Sequence, residues 1–92
     1  MKTEIKISDV PSEYRMLVLE YRGMIKAAIF FMERFFAELS FDSSRSMNDS
    51  IQKVDGAQKM ISRLYNVQGF VLPDFIVKDQ ETFAKYKKLI SF

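Results

Sequence analysis

From about residue 11 to residue 40 the apolar positions recur with helical period. Placed at about 100° per residue, Met24, Leu17, Phe35, Ala28, Tyr21, Leu39, Tyr14, Met32, Ile25, Val18, Phe36 and Ile29 fall in one arc of roughly 140° that no charged residue enters. Arg15, Arg22, Lys26 and Glu33 cluster opposite, with Glu20 and Glu38 on a flank. The pattern predicts one long amphipathic helix of about 40 Å, the element against which the rest of the chain packs. Asp9 or Ser12 can cap its start, and Pro11 suits the first turn, where a missing N–H costs nothing. Ile29 and Phe36 are read as core, so truncating either to Ala is expected to cost about 2–5 kcal/mol.

The same wheel places four apolar residues away from that arc. Met16, Leu19, Phe30 and Ala37 lie on the otherwise polar side, and Phe30 falls nearly opposite Tyr21. A helix buried on one face alone leaves Phe30 in water, so a second contact is expected there.

The remaining chain continues the helical theme. Residues 41–46, with three serines, read as a connector. Ser46 with Asp49 resembles a capping box, Asp standing for the usual Glu, and opens a helix over 46–67. Met47, Ile51, Val54, Ala57, Ile61, Leu64 and Tyr65 form its stripe. The stripe keeps phase through Asp55-Gly56, which favours one helix over a split there. Asn66 or Gly69 can take the left-handed position that ends it. Asp79 is read as the cap of a last helix over 79–91, with Phe83, Tyr86 and Ile90 on its apolar side. Residues 2–7 alternate with period two, and 70–77 form an apolar run broken by Pro73. They admit a minor two-strand element, on which the fold does not depend. The expected fold is therefore mainly α, a small three-helix single domain over 1–92 built on one long amphipathic helix.

Composition removes most catalytic chemistry. The 92 residues include no Cys and no His, so neither a disulfide, nor a thiolate or imidazole nucleophile system, nor the usual zinc ligand set can be assembled within the chain. Three glycines, Gly23, Gly56 and Gly69, make no phosphate loop. Ser50 and Lys53 match the Ser-x-x-Lys of certain acyl enzymes, but the other motifs of those enzymes are absent, and both read as solvent-facing helix residues. Asp49, Asp55, Asp74 and Asp79 each serve as turn, cap or first-turn residues without invoking a cation. No enzyme activity, metal or cofactor is expected. The start lacks the apolar core of a signal peptide and no uncharged stretch approaches the roughly 20 residues of a bilayer span, so the expected location is cytoplasmic.

What remains is binding. Nine Phe and six Met are more aromatic and adaptable side chains than a small core needs. The chain is read as a protein-interaction module, a small adaptor, assembly accessory or inhibitor and immunity-type binder. It pairs with itself as a homodimer or with another protein. The interface is centred on Met16, Leu19, Phe30 and Ala37, with Arg22, Lys26, Glu33 and Arg34 as its charged rim. The alternative is nucleic-acid binding. The net charge of +2 is thinly spread, and the densest basic group is Lys85, Lys87 and Lys88.

Overall fold

Val18, Tyr21, Ile25, Ala28 and Met32 recur at intervals of three and four. In the structure, a computed structural model that describes residues 3–69 and 71–90, all five are buried along one side of a single helix. This helix, α1, spans Ser12–Glu38. Two further helices, α2 over Phe41–Gln68 and α3 over Asp74–Ile90, complete a mainly α architecture preceded by a 3-10 turn at Ile7–Asp9. There is no strand among the described residues.

Pro11 itself occupies the N-cap position of α1, and no side chain caps it. Asp9 instead accepts the Lys6 N–H at 2.8 Å and closes the 3-10 turn. Arg15, one turn into α1, reaches back to donate to the carbonyls of Val10 at 2.8 Å and Ser8 at 3.0 Å, and Val10 is buried beneath. At the other end Leu39 takes a left-handed conformation (φ 52°) and donates its N–H to the Phe35 carbonyl at 2.8 Å.

The start of α2 corrects the expected connector. Ser40 is its N-cap: the Ser43 N–H donates to the Ser40 hydroxyl at 3.1 Å, and the Ser40 N–H donates to the Ser43 hydroxyl at 3.2 Å. This reciprocal capping box uses serine where glutamate is usual. Residues 41–46 are therefore the first turns of α2, and Ser46 lies inside the helix. Only Leu39 and Ser40 join α1 to α2, so the two run antiparallel. α2 passes unbroken through Gly56 and ends on Gly69 (φ 73°), whose N–H donates to Tyr65 at 2.9 Å.

The start of α3 is the second correction. The apolar run with Pro73 is the entry to the helix: the Pro73 carbonyl accepts from the N–H of Ile76 at 3.0 Å and of Val77 at 3.1 Å. Asp79 lies one turn inside α3 and is not its cap. The two segments expected as strands do meet, but at one point. The Asp74 N–H donates to the Ile5 carbonyl at 2.9 Å, and the Ile5 N–H donates to the Asp74 carboxylate at 3.3 Å. A single exchange of this kind caps α3 and replaces a ladder. Residues 2, 70 and 91 of the expected elements lie outside the described residues.

α3 runs in the same direction as α1. Tyr21 and Arg22 meet Gln80 and Asp79, and further along Glu33 and Phe36 meet Tyr86. The core sits between these helices, with Met47, Val54 and Ile61 from α2 and Ile76 and Phe83 from α3 joining the α1 residues. The buried sector of α1 is narrower than the arc read from the sequence. Met24 at its edge is exposed; Phe36 points the same way as buried Val18 but lies near the end of the helix and is 40% exposed, and Leu39, past the helix end, 71%. Phe36 rests edge-on against Tyr86 (ring centroids 6.0 Å) and is not fully enclosed. Among the described residues no Cα of α2 comes within 8 Å of one in α3. That flank is bridged by side chains, with Lys87 donating to Asp55 at 3.0 Å. Also among these residues, no helix is long and apolar enough to cross a membrane.

Candidate protein-interaction face

α2 and α3 cover two sectors of α1 and leave a third open. On the α3 side, Lys26, Ile29, Phe30 and Glu33 face Asp79 and Thr82 across a shallow groove of about 320 Å³. On the α2 side, Glu20, Gly23, Met24, Ala27 and Phe31 face Ser50 and Lys53 across a groove of about 400 Å³. The ridge between these grooves is the outer face of α1.

Met16, Leu19, Phe30 and Ala37 are all exposed on this ridge, Met16 by 68%, Leu19 by 41% and Phe30 by 62%. The Phe30 ring stands edge-on to Phe31 (5.4 Å, 76°), so Phe31 supports its base while its outer face meets solvent. The expected rim residues divide. Arg22 is drawn toward α3, pairing with Asp79 at 3.3 Å and lying 4.8 Å over the Phe75 ring. Glu33 accepts from the Tyr86 hydroxyl at 3.4 Å. Arg34 pairs with Glu38 one turn on, at 3.2 Å. Lys26 lines the α3-side groove beside Phe30.

Sequence reading passed over two residues of this face, Gly23 and Ala27. A Cβ added at Gly23 would meet nothing within 4 Å, so the helix surface there is open. The signal was available in the numbering: Met16, Gly23, Phe30 and Ala37 are each seven apart.

The alternative basic group does not act as one patch. Lys87 is turned onto Asp55 with its ammonium 5.9 Å from the Phe83 ring centroid, while Lys85 and Lys88 are exposed elsewhere on α3. The four aspartates considered as a cation site are dispersed: Asp55 holds Lys87, Asp79 holds Arg22, Asp74 holds the Ile5 N–H, and Asp49 is exposed on α2. The chain matches no protein family, and no curated protein or solved structure is similar to it.

Proposed function

We propose that this chain is a non-enzymatic protein-interaction module that associates through the outer face of α1. The observation that carries the reading is Phe30, a large ring 62% exposed in the middle of an apolar line that neither α2 nor α3 covers. Contiguous exposed apolar surface on a small soluble fold is characteristically a contact site, and buried aromatic anchors dominate the energetics of such contacts. The charged side chains of Arg22, Lys26, Glu33 and Arg34 around the line then select the partner more than they strengthen binding. The partner on this reading is a second copy or a different protein.

A photoreactive aromatic residue at position 30 tests it in cells, with position 59 on exposed α2 surface as control. Adducts are expected at 30 and not at 59. Binding of the partner so identified, once purified, is expected to weaken at least about 10-fold with Phe30→Asp while the helical circular dichroism is unchanged. Equal labelling at 30 and 59 sinks the reading.

A further inference from the structure

We propose that the partner is a second copy of this chain, bound antiparallel along α1 about a two-fold axis between Lys26 and Ala27, with Phe30 of each copy seated on Gly23 of the other. The proposal rests on the interaction reading above and assigns its occupant. The column of Met16, Gly23, Phe30 and Ala37 alternates in size as well as repeating by seven. An antiparallel two-fold pairing in which each residue faces its mirror position about that axis sets Met16 against Ala37 and Phe30 against Gly23, large against small along this column, with Leu19 level with the Arg34 stem. A parallel in-register pair would set Phe30 against Phe30 and leave a void between two glycines. The space for that ring is open in three dimensions: nothing stands within 4 Å of where a Cβ of Gly23 would be, and Gly23 itself lines the α2-side groove with Met24, Ala27 and Phe31.

Charge agrees with the same register. A two-fold axis perpendicular to the helices brings like flanks together, the α2 side of one copy along the α2 side of the other. Arg34, which pairs with Glu38 on its own helix, then lies within about 2 Å of level with Glu20 of the second copy, an opposite-charge encounter. Lys26 meets its own copy beside the axis, the one like-charge encounter, on a stem long enough to turn outward. A seven-residue repeat drifts by about 20° per turn of the repeat on a straight helix, so the two helices cross at a shallow angle near 20°.

The chain has no cysteine, so single introduced thiols report the arrangement directly. Sedimentation equilibrium of the full chain up to about 200 µM is expected to show a dimer. Ala27→Cys alone should form a disulfide dimer on mild oxidation, because it lies beside the axis. Met16→Cys alone and Ala37→Cys alone should not, since each is about 32 Å from its own copy along the helix, but a mixture of the two should cross-link. Gly23→Leu has room to fold and should weaken association at least about 100-fold by occupying the space the second Phe30 would take, whereas the exchange Gly23→Phe with Phe30→Ala should restore it to within about 10-fold. A wild-type monomer at the highest concentration overturns the proposal, as does self-cross-linking of Ala37→Cys or a Gly23→Leu chain that still dimerises. If the chain is monomeric yet position 30 labels a different protein, the second copy is excluded and the interaction reading survives; if neither occurs, both fall.

Discussion

Ser43 is fully buried, and its hydroxyl both accepts from the Ser40 N–H and donates to the Ser40 carbonyl at 3.0 Å. Losing it strips the first turn of α2 of a reciprocal cap. Ser43→Ala is expected to lower stability by about 1–2 kcal/mol, and Ser46→Ala, inside the helix, by nothing measurable in denaturant unfolding. Tyr21 is the other telling residue. Burial pushes its phenol above the ordinary value of 10.0 and the Asp55 carboxylate adds to the rise, while the hydrogen bond donated by Gln80 at 2.7 Å opposes it. Well below pH 10 the phenol is neutral in folded and unfolded chains alike and its effect on stability is complete. As pH rises further, the unfolded chain ionises first, so stability falls through the raised folded value. Ultraviolet titration should show the Tyr21 phenol ionising late, a step absent from Tyr21→Phe, and that substitution should flatten the alkaline loss.

At the scale of elements, glycine and leucine occupy each other's preferred backbone. Gly56 sits inside α2 at a position where an added Cβ meets nothing within 4 Å, whereas Leu39 holds the left-handed link that suits glycine. Gly56→Ala should therefore stabilise the chain by about 1 kcal/mol, read as a higher denaturant midpoint at unchanged slope. A midpoint that falls would show that α2 needs to bend there. α2 runs unsplit through Asp55-Gly56, as the phase of its apolar stripe predicts, because burial of Val54 and Ile61 against α1 outweighs one glycine.

For the molecule as a whole, the energetic weight lies where α1 meets both neighbours. Ile25→Ala is expected to cost about 2–5 kcal/mol by opening a cavity in a closed site. Phe36→Ala, given equal weight from the wheel, should cost about 1 kcal/mol, because a side chain already 40% exposed has less burial to lose. Thermal unfolding of the two variants side by side checks the ranking; equal losses would mean that Phe36 is enclosed in solution.

The wheel located α1 and its buried line because helical spacing is a local property of residue order, and the same spacing separated Met16, Leu19, Phe30 and Ala37 from that line. It also carried the stripe of α2 through Gly56, and of the two residues read as able to end that helix, Asn66 and Gly69, Gly69 does so. Helix starts were another matter. Ser40 with Ser43 and Ser46 with Asp49 are both plausible caps as strings; the first is used because Leu39 can turn the chain so that Met47 already falls into the α1 core. α3 begins at Asp74 because Ile5, sixty-nine residues earlier, exchanges hydrogen bonds with it. The width of the buried sector, and the pairing of Lys87 with Asp55 that breaks up the basic group, depend on how far α2 and α3 stand apart around α1. Residue order determines which faces are apolar through local periodicity; which ends are capped and which flanks are closed depends on donors and side chains distant in sequence, which only packing in three dimensions brings within reach.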